Sequence, residues 1–381
     1  MEPGNQARVL FFENNPTYFL SHRMSLARAI QNLGYEVHVA AMPGPAERAI
    51  GEAGFVFHAM PLKRSGMNPF VELTALIRIC SLFRKLHPDL VYQVTIKPVI
   101  YGTLAARIVR IRRVLNVISG LGYSVMDDTI KGRALRSFIF MLYRFSLRHS
   151  CQKLIFHNID DRAVFEQKGI VTHGDSEVIP GSGVDMSYFC PSDEPAGTPL
   201  VVLPARMLRD KGVHEFVAAA TALRNAGVRA RFLLVGGTDP GNPSAIPEWQ
   251  LRHWNAECDV EWRGQAEDMR TVYAECHVVA LPSYREGLPR ALVEAAACGR
   301  PVVTTDVPGC RDAVLKGKTG ILVAPRDAMG LGDALRKLIE APQLRLRMGK
   351  NGRNFVVETF AIDRIVALTT DVFKGMMAVS H

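Results

Sequence analysis

The sequence of 381 residues is 48% hydrophobic and 22% charged, with a formal net charge of +9 at pH 7. This composition excludes a disordered or fibrous chain, and the length favours two domains over one. No run of 18 apolar residues is present, which excludes a membrane-spanning helix, and the N-terminal stretch MEPGNQARVLFF lacks the apolar core of a signal peptide.

The first half of the chain alternates short apolar runs with helical patterns. The predicted strands are Val9–Phe12, Glu36–Ala40, Phe55–Met60, Leu90–Thr95, Arg113–Ser119 and Leu154–His157. A polar loop follows the first strand, and the helical patterns are Met24–Leu33, a stretch near Pro69–Leu86 and a stretch after Pro98. Strands alternating with helical patterns of roughly 10–15 residues are typical of βαβ units with a parallel sheet.

A second series of the same kind follows a stretch that is typical of a linker, Pro180–Pro191, which contains two prolines and two glycines within PGSGVDMSYFCP. Its predicted strands are Leu200–Pro204, Arg231–Val235, Val260–Arg263, His277–Pro282, Val302–Thr305 and Ile321–Val323. Its predicted helices are Val213–Asn225, Pro247–Cys258 and Pro289–Cys298. The same alternation therefore predicts a second parallel sheet.

The two series predict an α/β protein made of two Rossmann-like, doubly wound domains, residues 1–183 and 184–359. We expect the final helical segment, residues 360–381, to pack back on the first domain. Ligands of such folds bind at the carboxyl ends of the strands, so the expected site lies in a cleft between the halves.

Two cations follow the first strand of the second series. Arg206 and Lys211 lie five positions apart in PARMLRDKG, just before the next predicted helix. Two long cationic side chains in such a loop can converge on one diphosphate. The alternative is that both are solvated surface cations, as most charged side chains are.

A second group of polar residues lies in SYREGLPRALVEAAACGRPVVTT, from Ser283 to Thr305. Glu286 and Gly287 precede a helix that opens near Pro289, so the backbone N–H groups of Gly287 and Leu288 are expected to form an anion site. Glu294 follows about two turns later on a nearly all-apolar helix. A buried carboxylate there needs strong hydrogen bonds, either from the hydroxyls of a ribose or from a neighbouring arginine.

These residues carry a family resemblance. Glu286 and Glu294, separated by seven residues and followed by the ACGRPVV stretch, resemble the E-x7-E motif of retaining GT-B glycosyltransferases of family 4. The stretches KG, LLVGG, REGLP and TGILV occur in the expected order, and the resemblance covers nearly the whole chain. The first half is similar to bacterial surface-polysaccharide and lipid-linked-oligosaccharide transferases in FLSHRMSLARAIQNLGYEVHVA, TIKPVIYG, SGLGY and PGSGVD.

The resemblance implies roles for the residues of the second half. Arg206 and Lys211 would bind the diphosphate of a UDP-sugar and stabilise the leaving group, while Glu294 would hold the ribose. Glu286, with the backbone of Gly287 and Leu288, would hold donor-sugar hydroxyls and phosphate. The strand end at Arg263 and Gly264 would border the base. Neither a cofactor nor a metal is expected, since the chain has no D-x-D triplet.

The first half departs from the family pattern at two places. The loop after the first strand reads Glu13-Asn14-Asn15-Pro16-Thr17 instead of carrying paired glycines, and Ser119-Gly120-Leu121-Gly122 stands where many relatives have a histidine. Thr95 and Lys97, at a strand end, are therefore candidates for the acceptor side. His22 and Arg23 are further candidates, with a purely structural role as the equal alternative.

The positive charge is concentrated in one segment. Pro61–Lys153 holds 16 Lys and Arg against four Asp and Glu. This excess predicts an anionic partner, and no nucleic-acid recognition motif accompanies it. Leu135, Phe138, Ile139, Met141, Leu142 and Phe145 are predicted to share one apolar helical face, and four arginines lie beside or opposite it: Arg133, Arg136, Arg144 and Arg148. The helix is expected to lie on an anionic membrane surface, with packing on the sheet as the alternative.

The sequence thus predicts a metal-independent, retaining hexosyltransferase at the cytoplasmic face of the membrane, with a polyprenyl-diphosphate-linked saccharide as its acceptor. A nucleotide-sugar epimerase of similar architecture is the alternative, by fold analogy alone. A Rossmann dehydrogenase is excluded by the missing G-x-G-x-x-G after the first strand. The seven cysteines form no C-x-x-C pair, and we expect buried, reduced thiols.

Overall fold

The computed structural model of the protein describes residues 6–62, 66, 68–122, 129–258 and 260–378. Four charged residues of the basic segment, Lys63, Arg64, Asp127 and Asp128, and Tyr123 of the SGLGY stretch lie outside the described residues. The chain divides into two compact units, one formed by residues 1–183 and 363–381 and the other by residues 184–362.

The first unit is built on a seven-stranded parallel sheet. Its elements are β1 (Arg8–Phe12), α1 (Pro16–His22), α2 (Met24–Asn32), β2 (Glu36–Ala41), α3 (Ala46–Glu52), β3 (Val56–Ala59), α4 (Pro69–Leu86), β4 (Leu90–Val94), α5 (Ile96–Val109), β5 (Arg113–Ile118), α6 (Ile130–Ser146), β6 (Gln152–Phe156), α7 (Ile159–Gln167) and β7 (Ser176–Val178). The strand order is β3-β2-β1-β4-β5-β6-β7. The chain therefore reverses its direction of winding between β1 and β4.

The second unit repeats this winding with a six-stranded parallel sheet. Its elements are β8 (Leu200–Pro204), α8 (Val213–Asn225), β9 (Arg231–Val235), α9 (Glu248–Glu257), β10 (Val260–Trp262), α10 (Met269–Glu275), β11 (Val278–Leu281), α11 (Arg290–Ala297), β12 (Val302–Thr305), β13 (Gly320–Val323), α12 (Ala328–Ile339) and α13 (Pro342–Phe360). The order β10-β9-β8-β11-β12-β13 places the reversal between β8 and β11.

The central strands form because continuous apolar runs are stable only when both faces of a sheet are covered. All five residues of β4 and all five of β8 are buried. Helices cover both faces, as parallel strands joined by crossover helices require. The prediction of two doubly wound parallel sheets is confirmed.

Side-chain caps fix where several helices of the first unit begin. The Asn15 side chain accepts a hydrogen bond from the Thr17 N–H at 2.9 Å, and Pro16 occupies the first turn of α1. The Thr129 hydroxyl caps α6 in the same way, by accepting from the Gly132 N–H at 3.0 Å. These caps satisfy backbone donors that have no partner within the helix.

The last helix, α14 (Ile362–Ala378), lies in the first unit over residues 363–378. The Phe373 ring meets the Tyr35 ring edge to face at 5.0 Å between centroids. The Arg113 Nε donates to the Met376 carbonyl at 2.7 Å, so the helix is held both by apolar packing and by a buried charged donor.

Two expectations need correction. The polar stretch after β1 is not only a loop, because Pro16–His22 form the helix α1 once Asn15 caps it. Cysteines were expected to be buried throughout, yet only Cys276, Cys298 and Cys310 are buried, while Cys190 is exposed. All seven are free thiols, as expected.

Candidate active site

The predicted cations of the second unit lie at the reversal point of its sheet. Arg206 and Lys211 follow β8, and Ser283 and Glu286 follow β11, the strand that pairs with β8. Loops that leave neighbouring strands at a reversal point diverge and leave room for a ligand. This edge of the sheet is therefore the candidate active site.

Lys211 and Glu286 form an ion pair across this edge. The Lys211 Nζ lies 2.5 Å from Oε1 of Glu286, and the two side chains are only 16% and 14% exposed. The Ser283 hydroxyl donates to the same oxygen at 2.8 Å. The ammonium group is thus held by Glu286, whose carboxylate is itself held by Ser283 of the same loop.

Arg206 is paired with an acid from a third loop. Its Nη1 lies 2.5 Å from Oδ2 of Asp239, which follows β9, and about a third of each side chain is exposed. Asp239 was not among the predicted site residues, although it also follows a strand at the carboxyl end of the sheet. The rule that identified Arg206 would have found it.

Glycines allow the loops to approach this closely. Gly212 has a φ of +72°, and a Cβ there would lie 2.2 Å from the Pro282 carbonyl oxygen. Gly309 has a φ of +80°, and a Cβ there would lie 2.4 Å from the carbonyl oxygen of Glu286. A side chain at Gly212 would push the segment of Lys211 away from the loop after β11, and a side chain at Gly309 would displace the backbone of Glu286.

Glu294 is buried on α11, with both carboxylate oxygens engaged. Arg290 Nε donates to Oε1 at 2.6 Å, and the Tyr273 hydroxyl donates to Oε2 at 3.1 Å. Burial raises the pKa of Glu294, and Arg290 and Tyr273 counteract part of that rise. The arginine partner that the sequence left open is present, and each oxygen keeps a further lone pair for a ligand hydroxyl.

The remaining predicted donor residues lie around this centre. Gly287 and Leu288 precede α11, which begins at Arg290, one residue after the predicted Pro289. Arg263 is an exposed residue that pairs with Glu275 at 2.8 Å. The Gly264 carbonyl accepts from the Gly236 N–H at 2.7 Å, which ties it to the loop that carries Asp239.

In the first unit, two predicted acceptor-side residues occupy the strand end after β4. Thr95 has a φ of +75° and donates from its hydroxyl to Oδ1 of Asn14 at 2.6 Å, which joins the loops after β1 and β4. Lys97 lies in the first turn of α5, where its Nζ is 2.6 Å from Oε1 of Glu72 and 3.0 Å from the Gly66 carbonyl.

The other two, His22 and Arg23, lie where α1 ends and α2 begins. His22 Nδ1 is 2.7 Å from the Ser21 hydroxyl. Arg23 is buried, with its guanidinium 6.0 Å from the centre of the Tyr92 ring. Two further buried polar groups, Glu13 after β1 and His157 after β6, were not predicted as site residues, although both lie at strand ends.

Helix α6 differs from its prediction. The predicted single apolar face is divided, because Phe140 and Tyr143 are buried and Ile139 and Leu142 are half-buried against the core. Phe138, Met141 and Phe145 are exposed, as is Ile108 on the neighbouring α5; their exposed fractions range from 46% to 58%. Arg133, Arg144 and Arg148 are exposed and Arg136 is half-buried.

The described residues contain neither a cluster of metal-ligating side chains nor a helix suited to cross a membrane. No three His, Cys, Asp or Glu side chains in this part of the chain come together as a metal site would require, and metal independence stays a prediction. Within the same ranges, no helix has the length and apolarity needed to cross a membrane.

Comparison with known proteins identifies the family. The family model for glycosyl transferase 4-like proteins matches residues 8–158, and the model for glycosyl transferases group 1 matches residues 198–341. The N,N'-diacetylbacillosaminyl-diphospho-undecaprenol alpha-1,3-N-acetylgalactosaminyltransferase of Campylobacter jejuni is 29% identical over 94% of this chain and 99% of its own. The capsular polysaccharide biosynthesis glycosyltransferase CapM of Staphylococcus aureus is 26% identical over 86% of both chains.

The fold has close structural neighbours. Anabaena Alr3699/HepE in complex with UDP and glucose matches with a TM-score of 0.79 at 19% identity, over 97% of this chain and all of the other. The glycosyltransferase WaaG, involved in lipopolysaccharide biosynthesis, matches with a TM-score of 0.70 at 16% identity, over 96% of this chain and 99% of the other. With both halves matched by family models and the fold shared, the chain belongs to the GT-B glycosyltransferases of the group 1 and 4-like families.

Proposed function

We propose that the protein transfers a sugar from a UDP-sugar to a polyprenyl-diphosphate-linked saccharide, with retention of configuration and without a metal ion. The observation that carries the proposal is the placement of Arg206 and Lys211 beside the reversal point of the second sheet, each held by an acid from another loop. Two fixed cations at such a strand end suit the diphosphate of a nucleotide sugar.

The cations would act on the leaving group. As the bond between the sugar C1 and the diphosphate oxygen breaks, negative charge grows on the diphosphate. Arg206 and Lys211 would stabilise that charge without moving, because Asp239 and Glu286 already hold them in place. Preorganised donors of this kind contribute about 3–4 kcal/mol each to other enzymes.

The acids and the backbone of this site would hold the rest of the donor. Glu294 would accept hydrogen bonds from the ribose hydroxyls, and Glu286 with the backbone of Gly287 and Leu288 would bind the sugar and a phosphate. The strand end at Arg263 and Gly264 would border the base. This arrangement agrees with the family resemblance and with the positions of these residues after β11 and β10.

Retention would follow from attack on the face that the diphosphate leaves. The acceptor oxygen forms its bond to C1 as the C1–diphosphate bond breaks, and the acceptor hydroxyl proton passes to the departing phosphate oxygen. Glu286 is not assigned as a covalent nucleophile, because its Oε1 is occupied by Lys211 and by the Ser283 hydroxyl.

The acceptor is inferred from a relative. The Campylobacter jejuni relative is named for an acceptor that carries a saccharide on diphospho-undecaprenol and for transfer of N-acetylgalactosamine. By similarity, we propose a polyprenyl-diphosphate-linked saccharide as acceptor and an N-acetylhexosamine or a hexose as the transferred sugar, in cell-surface glycan synthesis. Thr95 and Lys97 would lie on the acceptor side.

The membrane contact is proposed for one surface of the first unit. We define the basic apolar face as the exposed Ile108, Phe138, Met141 and Phe145 together with Arg107, Arg133, Arg144 and Arg148. The guanidinium of Arg107 lies 5.6 Å from the centre of the Phe145 ring. Apolar side chains among arginines suit the headgroup boundary of an anionic leaflet, so the protein would be peripheral on the cytoplasmic side of the membrane.

A transfer assay tests the proposal. The protein is incubated with each of several UDP-sugars, with and without a polyprenyl-diphosphate-linked saccharide, and the products are separated by mass spectrometry. We expect a saccharide enlarged by one sugar and free UDP only when the acceptor is present. A changed UDP-sugar without any acceptor would instead establish the epimerase alternative.

A further inference from the structure

A small cavity in the first unit has room for about one water molecule. Arg23, Tyr92 and His157 line its interior, and Ser25, which is exposed, and Ser182, which is half-buried, line it nearer the surface. The residues assigned above to the donor all lie in the second unit, whereas the cavity is lined by residues of the first. Its chemistry is therefore unexplained by binding of the donor.

Arg23 places a permanent positive charge beside this cavity. The residue is 5% exposed, and its Nε has no hydrogen-bond partner among the described residues. Within the ranges that the structure describes, its Nη1 makes one long contact, of 3.5 Å, to the His22 carbonyl. A guanidinium has five N–H donors, and leaving them unsatisfied in a buried place is costly unless an anion or another acceptor meets them.

A buried acid that interacts electrostatically with Arg23, Glu13, compensates for this charge only in part. Glu13 is 4% exposed, and its Oε2 also lacks a hydrogen-bond partner within the described ranges. Burial raises the pKa of Glu13 to about 7, against the opposing effect of Arg23. Because burial favours the neutral carboxyl group, Glu13 offsets the charge of Arg23 incompletely, and the site keeps a net positive character.

His157 adds a neutral hydrogen-bonding group. It is 6% exposed, and its Nε2 has no partner in the part of the chain that the structure describes. Burial, together with the positive charges of Arg23 and His22, lowers the pKa of His157 to about 3. The ring is consequently uncharged, and it offers either one donor or one acceptor to a group that enters the cavity.

We infer that this cavity is an oxyanion subsite, which receives one oxygen of a phosphoryl group of the acceptor's diphosphate. The guanidinium of Arg23 would donate to that oxygen, and the hydroxyls of Ser25 and Ser182 would meet the remaining oxygens nearer the surface. The inference rests on the proposed function, since it names where an anionic acceptor is held. It makes Arg23 a residue that distinguishes a diphosphate-linked acceptor from an uncharged one.

The kinetic test uses two acceptors with the same saccharide, one linked to a short polyprenyl diphosphate and one to an uncharged alkyl group. Arg23→Gln should raise KM for the diphosphate-linked acceptor roughly tenfold to a hundredfold, the loss expected for hydrogen bonds to a charged group. KM for the uncharged acceptor should stay the same. Arg23→Lys should recover part of the difference. Arg28→Gln, which changes an exposed arginine of α2, should change neither value.

A second variant leaves the buried side chains of the cavity unchanged. Ser25→Glu adds a negative charge at an exposed position and should raise KM for the diphosphate-linked acceptor alone. The inference would be overturned if a variant changed KM equally for both acceptors. It would also be overturned if neither Arg23→Gln nor Ser25→Glu changed KM for the diphosphate-linked acceptor. Either result would leave the proposed transfer intact.

A binding measurement separates the two proposals. With UDP at saturating concentration, so that Arg206 and Lys211 are occupied, a short polyprenyl diphosphate is titrated into the wild type and into Ser25→Glu. Binding that is present in the wild type and weakened in the variant supports the subsite even if the assay shows no transfer. Absence of binding, or equal binding to both proteins, would overturn it.

Discussion

Lys211 and Glu286 lie 75 positions apart in the chain, yet the Nζ of one is 2.5 Å from Oε1 of the other. The pair joins the loops after β8 and β11, the two strands that meet where the second sheet reverses its winding. Because both side chains are largely buried, removing either member leaves a poorly solvated charge behind. The pair therefore holds a catalytic cation in place and also contributes to the stability of its surroundings.

The cations should be essential for turnover. Arg206→Ala and Lys211→Ala are each expected to lower kcat at least a hundredfold, or roughly 3–4 kcal/mol of transition-state stabilisation. Lys211→Ala should also lower Tm, since Glu286 loses its partner, and adding Glu286→Gln should restore Tm without restoring kcat. Lys316→Ala removes an exposed lysine of the same unit as a control. Wild-type kcat in either single variant would exclude that residue from the site.

Nucleotide binding should depend on Glu294. Glu294→Gln keeps the shape of the side chain but weakens the charge-assisted bonds to a ribose, so UDP should bind more weakly by about 1–3 kcal/mol in a calorimetric titration. Glu248→Gln is the matched control, because Glu248 forms the same kind of i,i+4 pair, with Arg252, on an exposed surface. Unchanged affinity for UDP in Glu294→Gln would limit Glu294 to its structural pair with Arg290.

Alanine substitutions at two glycines with nearly the same backbone conformation distinguish the cost of backbone strain from the cost of a steric clash. Gly212 and Gly227 have φ values of +72° and +76°, but only at Gly212 would a Cβ collide, 2.2 Å from the Pro282 oxygen. Gly227→Ala should cost about 1–2 kcal/mol of unfolding free energy, from the left-handed backbone alone. Gly212→Ala should cost more in denaturant unfolding and should also lower kcat. Equal costs would mean that the loops after β8 and β11 are not packed as described.

Stability should depend on pH through Glu13. Its pKa rises from the ordinary 4.5 to about 7 on folding, so the folded state binds the proton more tightly than the unfolded state. The contribution of this proton to the free energy of unfolding is fully present below pH 4.5. It is lost as the pH rises to 7, and the total loss is about 3 kcal/mol. His157 has the opposite effect between pH 3 and 6.5, because its pKa is lowered.

The difference in unfolding free energy between the wild type and Glu13→Gln isolates the contribution of Glu13 from that of His157. In urea unfolding, the free energy of unfolding of the wild type should fall relative to that of the variant as the pH rises from 5 to 8. A difference that is independent of pH would show that the Glu13 carboxyl is not desolvated.

Membrane binding should require the basic apolar face. In flotation with liposomes that contain anionic lipid, the wild type is expected to float, and Phe138→Ser/Phe145→Ser and Arg144→Glu/Arg148→Glu should each reduce the bound fraction. Leu346→Ser, at an exposed apolar residue of the second unit, serves as the control. Added salt should weaken binding, since each arginine near the leaflet contributes on the order of 1 kcal/mol through screened charge. Binding that is independent of both the lipid charge and the salt concentration would contradict the proposed membrane contact.

The sheets could be predicted because buried parallel strands such as β8 and β11 are unbroken apolar runs between helical patterns. The positions of Arg206 and Glu286 after strands followed from the same pattern and from the family resemblance. The pairing of Arg206 with Asp239 and of Glu286 with Lys211 could not be predicted, because it depends on how closely the loops approach. Gly236 allows the first approach and Gly212 the second.

Helix α6 shows a second limit of prediction from the sequence. Its spacing revealed apolar residues but not which of them meet the sheet. Phe140 is buried and Phe138 is exposed although both appear equally apolar in the sequence, because neighbouring elements decide which side of a helix is covered.

The most direct test of sugar transfer with retention is the anomeric configuration of the product. A UDP-α-sugar that supports transfer is incubated with the polyprenyl-diphosphate-linked saccharide, and the new glycosidic bond is examined by the one-bond carbon–proton coupling at C1 in an NMR spectrum. We expect an α-linked product, formed by the wild type and lost in Arg206→Ala and Lys211→Ala. A β-linked product, or α-linked product formed equally well without Arg206 and Lys211, would contradict the account.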